Sequence, residues 1–278
     1  MNWPDYRLID CGGQEKLERF GSYILRRPEP QAIWAKQAEP KIWDTYDALF
    51  TRHGQDKPGG WAFKKKPVEP WWISYNELKI KLQCTSFGHV GIFPEQKENW
   101  ELLHKSLAKL DKPKLLNLFA YTGVASLVAR KANADVYHVD AVSSMIAWAK
   151  SNMDASKLND IRWVTEDAFK FVSREVNRNK EYEVIILDPP AYGRGPKGEK
   201  WQLEDQLNEF IKKCAVLLQK KGKLILLNMY SMGYSASIAK QLLELHFNGW
   251  NTSAGELIIK AESGIKLPLG ITGMAYQP

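Results

Sequence analysis

Residues 114–140 read KLLNLFAYTGVASLVARKANADVYHVD, and this strand, turn, helix and second strand decide the fold. Lys114 to Phe119 is an apolar run of strand length, broken by the turn Ala120-Tyr121-Thr122-Gly123. A helix then runs from Thr122 to about Asn133. The strand Asp135 to Val139 follows and delivers Asp140 at its tip, 17 residues after Gly123.

The alternation continues in both directions from this unit. Upstream, a helix from about Glu95 carries Trp100, Leu103, Leu107 and Leu110 at three- and four-residue spacing and is stopped by Pro113. Downstream come a helix from Ser143 to about Ala155, the strand Ile161 to Thr165 ending in Glu166-Asp167, and a helix from Asp167 to about Arg178. The strand Val184 to Leu187 then ends in Asp188-Pro189-Pro190-Ala191-Tyr192. A Gly/Pro/Lys-rich loop over 189–200, a helix from about Leu203 to Lys220, the strand Lys223 to Met229 and a helix from about Ser235 to Phe247 follow. Strands Glu256 to Lys260 and Ile271 to Tyr276 close the chain as an antiparallel pair. Such repetition predicts an α/β fold with a doubly wound, mostly parallel seven-stranded sheet over residues 95–278.

Residues 1–94 differ. Short stretches (Tyr6 to Ile9, Leu17 to Phe20, Tyr23 to Leu25, Trp71 to Tyr75, Leu78 to Leu82) lie between Gly, Pro and charged clusters, which predicts a small β-rich domain with one helix around Gln31 to Trp34. Its tryptophans (3, 34, 43, 61, 71 and 72) offer base-stacking surfaces, although aromatics in a small β-domain more often form its core.

The 278 residues, 44% of them hydrophobic, suffice for one or two packed domains. The net charge of +7 is compatible with a polyanionic partner, but the excess is spread along the chain among 32 acids. Cys11, Cys84 and Cys214 are odd in number and lack CxxC spacing, which supports neither a disulfide framework nor a metal site and fits a reducing cytoplasm. No run approaches the roughly 18 apolar residues of a membrane span, and the N-terminus MNWPDYRLID lacks the pattern of a signal peptide.

In an open parallel sheet, ligands bind at the carboxyl ends of the strands, and four polar strand ends in succession outline one pocket. A pyrophosphate-bearing cofactor needs a Gly-rich turn, yet the first turn holds only Gly123, so a phosphate-free nucleoside such as S-adenosyl-L-methionine suits it better. Gly123 lets the chain turn tightly, with Thr122 as the expected helix cap. Asp140 is placed to accept hydrogen bonds from both ribose hydroxyls, although an acid there can also simply cap the next helix. Glu166-Asp167-Ala168 stands where adenine would be contacted. Pro189 and Pro190 remove two backbone donors and leave carbonyls and the Asp188 carboxylate as a rim of acceptors, with Tyr192 placed to stack on a planar base. The plainer account of that segment is a strand ended by prolines and followed by a surface tyrosine.

Lys114 to Asp188 resembles the class I S-adenosylmethionine-dependent methyltransferases. LLNLFAYTGVAS, VYHVDAVSSMIAWAKSN and VIILDPPAYG are similar to the bacterial large-subunit ribosomal RNA methyltransferases that modify cytosine C5 or guanine N7. The stretch Gly88 to Asn99 resembles the glycine-plus-DQR segment of that family. The resemblance covers about Gly88 to the C-terminus. It implies a Rossmann-like fold and a cofactor site lined by Phe119, Tyr121, Thr122, Gly123, Asp140 with Ala141, Asp167, Ala168 and Asp188, and closed by Gln96. Asp188, Pro189 and Tyr192 would then serve the acceptor.

Where cytosine-C5 members carry a nucleophilic cysteine after the fifth strand, this chain reads Asn228-Met229-Tyr230-Ser231-Met232-Gly233. Cytosine C5 is therefore disfavoured and a nitrogen acceptor favoured, with RNA as the expected partner. Arg194, Lys197 and Lys200 in the loop after Tyr192, and Lys64-Lys65-Lys66, are the candidate phosphate contacts. Two other readings stand beside this one: the same cofactor with a protein or small-molecule acceptor, and a non-catalytic RNA-binding protein.

Overall fold

A computed structural model describes residues 3–52, 59–195, 198–230 and 233–277. The chain forms two compact units, Met1–Glu95 with Ile258–Leu269, and Gln96–Leu257 with Gly270–Pro278.

In the first unit, β1 (Tyr6–Gly12), β2 (Glu15–Phe20), β3 (Tyr23–Pro28), β4 (Ala48–Thr51) and β5 (Gly60–Phe63) form one sheet in that order. Only β3 and β4 pair in parallel. The short helix α1 (Pro40–Trp43) precedes β4, and β6 (Trp71–Tyr75) pairs with β7 (Leu78–Leu82) as a separate hairpin. Trp3, Trp43 and Trp71 are buried, whereas Trp72 is exposed. The helix expected at Gln31 to Trp34 does not form. That stretch gives its polar groups to the first hairpin instead: the Ala32 and Trp34 carbonyls accept from Gln14 and Gly13, and the Trp34 indole donates to the Cys11 carbonyl. The Asp10 carboxylate takes the amides of Gln37 and Ala38, so the first helical turn is displaced to residue 40, where Pro40 occupies its opening position.

At the boundary between the units a one-turn 3-10 segment, Pro94–Gln96, leads into α2 (Lys97–Leu107) of the second unit. Then follow β8 (Lys114–Leu118), α3 (Val124–Lys131), β9 (Asp135–Asp140), α4 (Ser143–Ala155), β10 (Ile161–Thr165), α5 (Ala168–Asn177) and β11 (Val184–Leu187). The remainder comprises β12 (Tyr192–Arg194), β13 (Lys200–Gln202), α6 (Leu203–Leu218), β14 (Leu224–Met229), α7 (Ala236–His246), and β15 (Asn251–Lys260) and β16 (Lys266–Tyr276), whose ends within Ile258–Leu269 count with the first unit. The sheet order is β10-β9-β8-β11-β14-β16-β15, with the first five strands parallel and β16 antiparallel to β14. This is the doubly wound, seven-stranded sheet anticipated from the sequence.

Pleating sorts the strand side chains. Leu116, Leu118, Ile185, Leu187, Ile225 and Leu227 lie in a buried core with α5, α6 and α7. Asn117, His138 and Asn228 bond to residues of α3 and α2 on the other face. The chain runs from β8 outward to β10, then returns to lay β11 on the other side of β8. That reversal is the switch point where open α/β sheets bind ligands, and it lies between the tips of β8 and β11.

Candidate functional site

Register brings the strand tips level. Leu118 pairs with both Val139 and Leu187, and Leu187 pairs with Leu227. The residues that follow therefore form one row at the carboxyl edge: Phe119, Asp140, Asp188 and Asn228.

The turn after β8 is built from left-handed residues, with φ of 55° at Phe119, 50° at Tyr121 and 85° at Gly123. Gly123, not Thr122, is the N-terminal boundary residue of α3, and no side chain caps that helix. The correction has a steric cause: a Cβ on residue 123 would stand 3.0 Å from the Ala149 Cβ and 3.2 Å from the His138 ring, so a glycine must sit where the chain enters the helix. Thr122 is buried, and its carbonyl accepts from Asn152 Nδ2 at 2.9 Å.

A polar chain beneath this turn was not foreseen. Asn117 Nδ2 donates to Ser126 Oγ at 2.9 Å, and Ser126 Oγ lies 3.0 Å from His138 Nδ1. Burial pulls the His138 pKa down to about 3, so the ring is neutral at pH 7. A histidine inside the otherwise apolar strand VYHVD, two residues before the acid, was the available signal.

Asp140 Oδ2 accepts from the Tyr121 amide and Oδ1 from the Val142 amide, each at 2.8 Å. One carboxylate thus ties the first turn to the bend that leads into α4, although no side chain caps that helix. Two backbone bonds leave further acceptor capacity on an ionised carboxylate. Burial raises the Asp140 pKa, opposed by those two amides. Ala141 follows, half-buried, in the bend leading to α4. At the third tip, Asp167 caps α5 by accepting from the Lys170 amide at 2.9 Å, Glu166 pairs with Arg174, and the Ala168 methyl is buried in the core.

The fourth tip departs most from expectation. Residues 192–202 are not a simple loop: β12 and β13 pair Tyr192 with Gln202, Gly193 with Trp201 and Arg194 with Lys200. Trp201 explains the hairpin. It is 2% exposed, its indole donates to the Pro190 carbonyl at 2.7 Å, and its ring lies 5.0 Å from Phe119 and 5.5 Å from Phe210. The Ala191 carbonyl accepts from the Leu203 amide at 3.0 Å. Of the acceptor rim expected here, the Pro190 and Ala191 carbonyls are thus engaged within the protein. Tyr192, 54% exposed, shares the outer face of the hairpin with Arg194, Lys200 and Gln202. Lys197 lies outside the described residues.

Gln96 sits in a second buried network. Its Nε2 donates to the Tyr230 hydroxyl, and its Oε1 accepts from Asn99 Nδ2 at 2.8 Å and Asn228 Nδ2 at 3.3 Å. Asn99 also donates to Asn228 Oδ1, and Thr272 donates to Asn99 Oδ1. The side chain is thereby fastened to the end of β14, one strand from Asp188.

Lys64, Lys65 and Lys66 are exposed in the first unit, where the Lys64 ammonium donates to the Asp44 carbonyl and lies 3.8 Å from the centre of the Tyr46 ring. Burial raises all three thiols, Cys11 to about 11, Cys84 to about 12 and Cys214 beyond that. Among the described residues, no group of His, Cys, Asp and Glu is placed to hold a metal ion, and no helix is long and apolar enough to cross a membrane.

A doubly wound sheet with a polar row at its switch point is the architecture of class I methyltransferases. Residues 85–254 match the methyltransferase small domain family, and the chain belongs to it. It resembles the crystal structure of a SAM-dependent methyltransferase from Agrobacterium tumefaciens, with a TM-score of 0.94 and 39% identity over 99% of this chain and 91% of that one. Among curated proteins it is 26% identical over 176 residues to ribosomal RNA large subunit methyltransferase I of Aeromonas salmonicida, matching 62% of this chain and 44% of that protein. The enzyme of the same name from Shewanella frigidimarina is 32% identical over 130 residues, 45% of this chain and 32% of that protein. The chain spans less than half the length of these two relatives.

Proposed function

We propose that this protein transfers a methyl group from S-adenosyl-L-methionine to a base of RNA, with ribosomal RNA as substrate and a base nitrogen as acceptor. The observation that carries the reading is the contrast across the switch point: a glycine turn tied to Asp140 at β8 and β9, level with a proline-rich acceptor tip at β11.

The residues present fit the cofactor. The single-glycine turn offers no phosphate cradle, Asp140 keeps acceptor sites for two ribose hydroxyls, and Asp167 stands at the next tip, where adenine would lie. Gln96 borders the site through its bonds to the end of β14. When bound, the sulfonium supplies an electrophilic methyl group, so the protein's task is alignment. Asp188 and the Pro189 carbonyl hold the amine or ring edge in line. Tyr192 stacks on the base, and Arg194 with Lys200 meets the phosphates.

The thiols support nitrogen over carbon. Attack on a pyrimidine ring needs a thiolate, whereas every cysteine here is held protonated at neutral pH and Cys214 is core packing. The names of the curated relatives support ribosomal RNA as substrate, and the basic outer face of the β12–β13 hairpin agrees with a polyanion.

Transfer of radiolabelled methyl into ribosomal RNA by the wild-type chain, and its loss in Asp188→Ala protein that still binds S-adenosylhomocysteine by calorimetry, is the expected result. Equal labelling by that variant removes the role given to Asp188, and labelling that survives RNA digestion moves the acceptor to a protein or small molecule.

A further inference from the structure

We propose that Trp201 is a positioning residue of the methyl-transfer site, fixing the acceptor tip of β11 against the cofactor turn of β8. The inference rests on the reading of Asp188 to Tyr192 as the acceptor station, and it assigns a role to a residue that touches neither ligand.

Three parts of the site meet at this indole. Its N–H donates to the Pro190 carbonyl at 2.7 Å, one residue beyond the carbonyl assigned to the acceptor. Its ring packs 5.0 Å from Phe119, whose backbone opens the left-handed turn. Its own strand, β13, pairs with β12 and so carries Tyr192 on the opposite face. Side chains alternate across a strand, so burial of Trp201 forces Gln202 and Lys200 outward, beside Tyr192 and Arg194.

A two-stranded ribbon is marginal in water by itself, so the position of β12–β13 comes from its anchors. Trp201 is the inner one. The outer one is the ion pair of Lys170 on α5 with Glu199 at the end of the hairpin. The hydrogen bond from Trp201 also settles the orientation of the peptide after Pro190, in a segment where neither proline has an N–H of its own to do so. Phe119 at the same ring means that a displaced indole shifts the two stations relative to each other. Misplacement of reacting groups by about 1 Å costs on the order of 100-fold in rate.

The test uses the full chain, tritium-labelled cofactor and a transcript of large-subunit ribosomal RNA. Trp201→Phe keeps a ring against Phe119 and Phe210 but removes the donor to Pro190. The expected result is a kcat lowered about 10- to 100-fold, with the Kd for S-adenosylhomocysteine within about twofold of wild type. Leu243→Ala, in the same core on α7, serves as the matched control for lost stability: at a comparable fall in Tm it keeps kcat within about twofold. A wild-type kcat in Trp201→Phe, or an equal fall in Leu243→Ala, overturns the proposal. If Trp201→Phe does not fold, Lys170→Ala releases the outer anchor and lowers kcat about threefold at unchanged cofactor affinity, and an unchanged kcat there overturns it instead. A wild-type protein that labels no RNA defeats the acceptor reading itself, whereas labelling that the variants leave untouched defeats only the role of Trp201.

Discussion

The turn after β8 and the turn after β11 occupy equivalent places on neighbouring parallel strands, with Leu118 and Leu187 in register just before them, yet their chemistry is opposite. The first uses positive φ at three of its five residues, keeps its amides, and sends one of them to Asp140. The second places two prolines directly after an acid, so that two successive residues lack a backbone N–H. Equal topology with unequal hydrogen-bonding character is the basis on which we propose two stations on a single sheet edge, one for a nucleoside and one for the group that receives its methyl.

The predictions test that division in order of effect. The largest is at Asp188: Asp188→Ala lowers kcat by roughly 100- to 1000-fold in a single-turnover assay, the usual size for loss of one preorganised polar group. A kcat within a few-fold of wild type would dissolve the contrast between the tips. Next is Gly123→Ala, which sets a Cβ 3.0 Å from Ala149 in a left-handed residue. Thermal melts should show about 1–3 kcal/mol of lost stability, and calorimetry a weakened cofactor, with Asp188-dependent acceptor binding spared.

Asp140→Asn comes third, with cofactor affinity lowered by roughly tenfold, about one charge-assisted hydrogen bond. Its pH dependence sharpens the point. Burial raises the pKa of Asp140, the ionised form is the better acceptor, and so cofactor affinity weakens as pH falls through a value above the ordinary aspartate range. The asparagine variant lacks that acid limb, and a wild-type affinity independent of pH contradicts the role. Tyr192→Ala should cost about 1–2 kcal/mol of RNA binding through lost stacking and leave the cofactor untouched. The smallest effect belongs to Arg194→Ala or Lys200→Ala, each reducing the slope of log affinity against log salt by about one without changing which base is modified.

Much of the second unit was legible in the sequence because period and punctuation agreed there. The helix Ser143–Ala155 falls where it was expected, and the parallel strands begin and end within a residue or two of the apolar runs. The ends of β8, β9 and β11 were legible for the same reason: a turn closed by Gly123, Asp140, and Asp188 with two prolines end those runs. What escaped depends on distant partners. The run 189–200 looks like a loop because Gly, Pro and Lys dominate it, and the burial of Trp201 against Phe119 and Phe210 accounts for the pairing of Tyr192–Arg194 with Lys200–Gln202. Residues 31–34 look helical by composition, but their backbone groups are claimed by the first hairpin. The Gln96, Asn99, Asn228, Tyr230 and Thr272 network joins positions up to 173 residues apart, which no local pattern reports.

The most direct measurement is a crystal structure of the full chain with S-adenosylhomocysteine and a short ribosomal RNA fragment. Both ribose hydroxyls within hydrogen-bonding distance of Asp140, with the sulfur facing Asp188 and Pro189 and a base against Tyr192, is the predicted result. Cofactor density elsewhere in the molecule, or a base held away from the tip of β11, would contradict the division of the sheet edge into two stations.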